Sequence, residues 1–271
     1  MRQQPRGDSR GILDPGRLLR QVHFRRHLPA APLRRYVEHY WLIDWDLPEP
    51  FTQHVVPHPA VNVVFQRDGD APETGEVSGV GRELFSITLS GRGRVCGVQF
   101  RPGGFRPFWR RSVAELTGHR RPLADLAASW PPAAAHHGGI CDGTDTERRR
   151  ALDDLLTGWA PEPDPVTDEV IRLVEEIRTD RTVLRVDAFA DRHGLSTRRL
   201  QRLFLDRVGV GPKWVIRRYR LQEAIEQAAE GPPPDWATLA ADLGYSDQAH
   251  LVREFTAVTG TSPAAYARSL A

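Results

Sequence analysis

Arg198, Arg199, Gln201 and Arg202 stand together in "STRRLQRLF", and Gln248, Ala249, Val252 and Arg253 stand in "SDQAHLVREF". Guanidinium and carboxamide groups have the planar donor and acceptor geometry that reads guanine and adenine edges in a major groove. Small apolar side chains such as Val252 can meet a thymine methyl. The two stretches are copies of one pattern. In each, a glycine (Gly194, Gly244) is followed by a bulky residue (Leu195, Tyr245) and a serine (Ser196, Ser246), and an arginine (Arg202, Arg253) precedes a phenylalanine (Phe204, Phe255) by two positions. Each copy closes on Gly-x-x-Pro, at Gly209–Pro212 and Gly260–Pro263.

The elements that would hold these residues follow from periodicity. In the first copy Val186, Phe189 and Ala190 make one apolar side, Gly194 supplies a tight turn and Ser196 is placed to cap the next helix. Leu200, Leu203, Phe204 and Val208 then form an apolar stripe, which leaves the basic and amide residues outward. In the second copy Trp236, Leu239, Ala240 and Leu243 support, Gly244 turns, Ser246 or Asp247 caps, and Leu251, Phe255 and Val258 face inward. Each copy therefore suits a helix-turn-helix. Helices are expected at 166–179, 185–193, 197–208, 212–229, 236–243, 247–259 and 263–269, with a break at "EGPPPD".

Charge placement favours nucleic acid over a merely solvated face. From Arg185 to Arg220 there are ten basic residues against Asp187, Asp191 and Asp206, an excess suited to phosphate binding. Arg199, Lys213, Arg217 and Arg218 are the expected phosphate contacts. From Leu221 onward the balance reverses, with Arg253 and Arg268 against seven acidic residues, so the first unit is expected to dominate affinity.

The whole chain, 271 residues with a net charge of +2, is long enough for two domains and almost neutral. Residues 1–29 read as a loose, polar segment. Residues 30–159 read as a β-rich domain with a helical tail, with strands at "VNVVFQ", "LFSITLS" and "RVCGVQF" and a hairpin turn at "SGRGR" between the last two. Helical spacing follows in "FWRRSVAELTG", "PLADLAASW" and "ERRRALDDLLTGW". The proline-rich stretch 160–165 reads as a linker to an all-helical domain over 166–271, giving an α+β, two-domain chain.

Other chemistry is weaker. Two cysteines, Cys96 and Cys141, are too few for a disulfide framework or a four-cysteine zinc site, and Cys96 reads as a small buried hydrophobe. Pro57 and Pro59 forbid a helical pair of His54 and His58, and His136-His137 falls in a loop-like stretch. "RPGGFRPF" is either an anion nest or a strand end turning into a helix, the second being the simpler reading. Trp41, Trp45, Trp109, Phe100 and Phe65 could line a pocket, but core packing accounts for them better. No Gly-x-Ser-x-Gly, His-Glu-x-x-His or P-loop occurs, so no enzyme, metal or cofactor is expected. No run is apolar enough to span a membrane, and a cytoplasmic protein is the default.

"GLSTRRLQRLFLDRVGVGPKWVIRRYRLQEA" and "LAADLGYSDQAHLVREFTAVTGTSPAAYAR" together resemble the DNA-binding domain of the AraC/XylS family of bacterial transcription regulators, over residues 166–268. The resemblance implies two helix-turn-helix units joined by a linker helix at 212–229, reading successive major grooves of double-stranded DNA about 34 Å apart. By position it implies base contacts from Arg198, Gln201, Arg202, Gln248, Ala249, Val252 and Arg253. Leu251 stands where phenylalanine is common and Thr256 where lysine is common, the second removing a phosphate contact. Residues 30–155 look like an uncharacterised sensor-type domain that precedes this module in many such regulators. Implied partners are RNA polymerase, a small-molecule effector and a second copy of the chain. The alternatives are an effector-binding or enzymatic β-domain fused to a DNA-binding module, and a protein-interaction scaffold built from helix-turn-helix units. A DNA-repair methyltransferase fused to such a module would need cysteines this chain lacks.

Overall fold

The computed structural model describes residues 11–126, 139–159, 161, 163–229 and 234–270. His136 and His137 lie outside them. Six strands form one antiparallel sheet in the order β1-β2-β5-β3-β4-β6: β1 His23–His27, β2 Val37–Val55, β3 Asn62–Asp68, β4 Thr74–Ser78, β5 Phe85–Phe100 and β6 Arg120–Pro122. One face buries Tyr40, Leu42, Phe65, Cys96 and Phe100 against Leu152, Leu155 and Leu156 of helix α4, Asp145–Gly158. The other packs Trp45, Phe51, Leu89 and Val95 around Leu18 of helix α1, Pro15–Gln21. Phe65, Phe100 and Trp109 therefore share one core, whereas Trp41 and Trp45 belong to the opposite face, and the five aromatics do not line one pocket.

Two expectations are corrected. Residues 11–29, expected to be loose, are built into the fold. Asp14 caps α1 by accepting from the Arg17 amide at 2.9 Å, Leu18 and Val22 are buried, and β1 pairs with β2 from His23↔Asp44 to His27↔Tyr40. Arginines hid a short amphipathic helix and an edge strand. The second correction concerns "SGRGR", which is no hairpin. Both of its flanks pair with β2, from Phe85↔Val55 to Phe100↔Val37, so β5 runs through it as one strand. The irregularity is absorbed by β2, whose register shifts between Leu47 and Phe51 opposite Gly91. Glycines within β5 serve close approach instead: a Cβ on Gly93 would collide with the Trp45 ring, and one on Gly97 would collide with that of Trp41.

Short helices α2 (Arg106–Trp109) and α3 (Leu123–Leu126) flank a 3-10 turn at Val113–Leu116. The Gly103-Gly104 pair is a close-packing device, since Gly103 abuts Val170 and Gly104 abuts the Tyr36 carbonyl. His54 bonds Ser86 at 2.7 Å, and His58 meets the Tyr219 ring edge-on at 5.6 Å.

The remainder is helical: α5 Pro165–Thr179, α6 Val186–Arg192, α7 Thr197–Arg207, α8 Pro212–Ala229, α9 Trp236–Asp242, α10 Gln248–Thr259 and α11 Pro263–Leu270. Asp164 caps α5 at the Val166 amide, with Pro165 in the first turn where its missing N–H costs nothing. The long helix α8 serves both units. Val215, Ile216 and Tyr219 join the core of α5, α6 and α7, whereas Leu221, Ala224, Ile225 and Ala228 join that of α9, α10 and α11.

His39 on β2 is buried; burial, with Arg26 and His58 nearby, pulls its imidazole down to about 3. Below its ordinary value the unfolded chain takes a proton that the fold refuses. Stability is therefore full above pH 6.5 and falls as pH drops toward 3. At pH 5 the loss amounts to about 2 kcal/mol. Urea unfolding at pH 7 and pH 5 checks this: the midpoint falls in the parent chain and moves far less in His39→Leu.

Candidate nucleic-acid interface

The two copies of the pattern close on the same backbone bonds. Gly194 adopts a φ of 63° and Gly244 a φ of 76°. Glycine takes that left-handed conformation without strain. The Leu195 amide donates to the Ala190 carbonyl at 2.9 Å, and the Tyr245 amide donates to Ala240 at 2.9 Å. At Gly244 the space is also tight, because the Leu184 side chain from the first unit lies 3.1 Å from where a Cβ would stand. The turn thus lies against the first unit as well as reversing the chain.

Caps set where the second helix of each unit begins. Ser196 accepts from the Arg199 amide at 3.2 Å and starts α7. In α10 the cap is Asp247, which accepts from the His250 amide at 2.7 Å. Ser246, one of the expected caps, instead contacts Asp247 and the His250 ring. Leu200 and Phe204 turn α7 inward, and Leu251 and Phe255 do the same for α10. That orientation leaves Arg198, Arg199, Gln201 and Arg202 exposed on α7, and Gln248, Ala249 and Arg253 exposed on α10 beside a half-buried Val252. None of the four α7 residues forms an ion pair among the described residues. A row of cationic and amide groups with no internal partner can bond phosphates or base edges.

The wider basic tally contracts once partners are assigned. Arg185 pairs with Asp187, Arg192 with Glu176 and Asp180, and Arg207 with Asp164 and Asp206. Arg220 is buried, donating to the Ile177 carbonyl and pairing with Glu223. Of the expected phosphate contacts, Lys213 is exposed as Arg199 is, whereas Arg217 and Arg218 have partners within the fold. Arg217 meets Glu254 at 3.0 Å and His250 at 2.6 Å, tying α8 to α10. Arg218 is 5% exposed, stacks on Trp214 and donates to the Arg82 carbonyl at 3.0 Å. Burial pushes its guanidinium down to about 10. It faces the β-rich part.

The β-rich part holds both units from behind. Thr117 donates to the Gly209 carbonyl at 2.7 Å, Arg106 approaches Asp206 at 3.5 Å, and Val80 lies in the first unit's core. Val56, Leu13 and Leu84 pack into the second unit's core. These contacts fall on the C-terminal end of α7 and on the supporting helices, so the outward faces stay open. Sequence reasoning missed them because Thr117, Arg82 and Val80 carry no motif of their own.

A helix-turn-helix domain model matches residues 189–269, from Phe189 on α6 to the end of α11. The chain therefore carries a helix-turn-helix domain that spans α6 to α11. A domain of unknown function, DUF6597, matches residues 25–122, which run from β1 to β6. No curated protein matches the chain. Among solved structures the chain is similar to ToxT from Vibrio cholerae, at 10% identity and TM-score 0.41, covering 90% of this chain and 98% of that one. It is also similar to the unsaturated fatty acid bound wild-type ToxT from Vibrio cholerae strain SCE256, at 13% identity and TM-score 0.41, covering 84% and 94%. Among the described residues no helix is long and apolar enough to cross a membrane.

Proposed function

We propose that this chain is a transcription regulator that lays α7 and α10 in two successive major grooves on one face of a duplex. The observation that carries this reading is the pairing of two outward faces, both open and both polar, on units whose backs are gripped. Helix α8, Pro212–Ala229, is 18 res long. At about 1.5 Å per residue it spans about 27 Å, the right scale for grooves about 34 Å apart. Arg198, Gln201 and Arg202 read bases through α7, and Gln248, Ala249, Val252 and Arg253 read them through α10. Arg199 and Lys213 hold phosphates. The chain works in the cytoplasm by binding alone, without catalysis.

Regulation runs through the β-rich part, which touches both units and so sets their relative position. A small-molecule effector or a second copy of the chain supplies the signal there, and the bound complex acts on RNA polymerase.

Selection of the full chain on a randomised duplex pool tests the reading. A bipartite consensus with boxes one helical turn apart is the expected result, and enrichment of a single short box would contradict it. On the selected duplex, Lys213→Ala weakens binding evenly across sequences and reduces the salt slope by about one. Arg218→Ala leaves that slope unchanged and lowers the thermal midpoint, because it strips the Arg82 carbonyl of its donor. Titrations between low and moderate salt separate the two.

A further inference from the structure

We infer that Leu205 is a specificity-determining residue that reads the C5-methyl group of one thymine in the box bound by α7. This inference rests on the DNA-binding reading above and deepens it. Leu205 is 44% exposed, one of few large apolar side chains in water among the described residues. It stands on α7 itself. With about 3.6 residues per turn, Leu205 falls about 20° from Arg198 around the helix axis, between Gln201 on one side and Arg202 on the other. Any approach that brings Arg198, Gln201 and Arg202 to base edges therefore brings Leu205 with them.

Leu205 belongs to neither core of the helical part. The inward side of α7 is taken by Leu200 and Phe204, and the neighbouring Asp206 and Arg207 are engaged with Arg106 and Asp164. A side chain on a helix leans toward the turn that precedes it, so the isobutyl group of Leu205 lies over the turn bearing Gln201 and Arg202. There it forms an apolar spot in the middle of a cationic and amide face. The apolar feature that base pairs present in the major groove is the thymine C5-methyl, and it lies beside the donors and acceptors that guanidinium and amide groups read. Leu205 matches that feature in chemistry and in position. It selects an A·T pair, with thymine on the contacted strand, next to the bases read by Gln201 and Arg202.

The test removes one methyl group at a time from the DNA. Each thymine in the α7 box of the selected duplex is replaced singly by deoxyuridine, and affinity is measured for the full parent chain and for Leu205→Ala. At one thymine the parent loses about fourfold, which is ~0.8 kcal/mol for one buried methyl. Leu205→Ala, with an unchanged thermal midpoint, binds the unmodified duplex about fourfold more weakly and is indifferent to deoxyuridine at that position. Uniform tolerance of deoxyuridine by the parent overturns the inference. So does a Leu205→Ala chain that still feels the same methyl group, or one that binds as tightly as the parent. A chain that enriches no duplex overturns the DNA-binding reading itself, whereas a well-defined duplex with no methyl-sensitive thymine in the α7 box overturns the role of Leu205 alone.

Discussion

Phe204→Ala is expected to destabilise the reading domain by about 3–5 kcal/mol, the usual cost of emptying a buried aromatic site. Phe204 is fully buried and sits in one core with Val174, Phe189, Leu200 and Tyr219. Val80 from the β-rich part reaches the same core, so collapse around the cavity would have to move two parts of the chain at once. The cost is accordingly set toward the upper end of that range. DNA binding weakens with it, since α7 keeps its outward face only while its inward face is seated. Phe255→Ala does the same to the second unit, where Phe255 packs on Tyr266 with ring centroids 5.7 Å apart. Urea unfolding followed by far-ultraviolet circular dichroism reads both effects. A loss below about 1 kcal/mol at Phe204 would mean that the side chain is not the centre of this core.

Arg202→Ala is expected to cost about 1–3 kcal/mol of DNA affinity, roughly tenfold to a hundredfold, and to relax preference at one base. Arg202 is exposed at the middle of α7, flanked by Gln201 and one turn from Arg198 and Arg199, so its charge works beside other unpaired cations. Arg253→Ala is expected to cost less. The second unit holds Asp242, Asp247 and Glu254, and a basic residue beside it, Arg217, is already engaged with Glu254. Competition binding on the selected duplex compares the two directly, and equal losses would contradict the ranking of the units.

Much of the reading domain was legible because its signals are local. Pro212 fixes the start of α8, Gly194 and Gly244 fix the turns, and Ser196 caps α7, each through a constraint spanning a few residues. Apolar spacing then fixes which face is inward, and the outward residues follow by elimination. What failed depended on distant partners. Arg218 looks like its neighbours in sequence, and only the Arg82 carbonyl shows that it faces the β-rich part. In the sheet, "SGRGR" has turn-like composition, yet β2 supplies a partner along its flanks, and pairing overrides local preference. The edge strand β1 was hidden by its arginines, one of which, Arg25, bonds Asp145 at 2.8 Å across 120 positions of sequence.

The measurement that tests the central claim most directly is the affinity of the full chain for its selected duplex before and after about five base pairs are inserted between the two boxes. That insertion rotates one box by about half a helical turn, which carries its major groove to the opposite face. Two reading helices fixed on one spacer cannot follow, so affinity falls to that of a duplex holding the α7 box alone. Unchanged affinity would contradict the account, since it would mean that α7 and α10 do not read one face of DNA together.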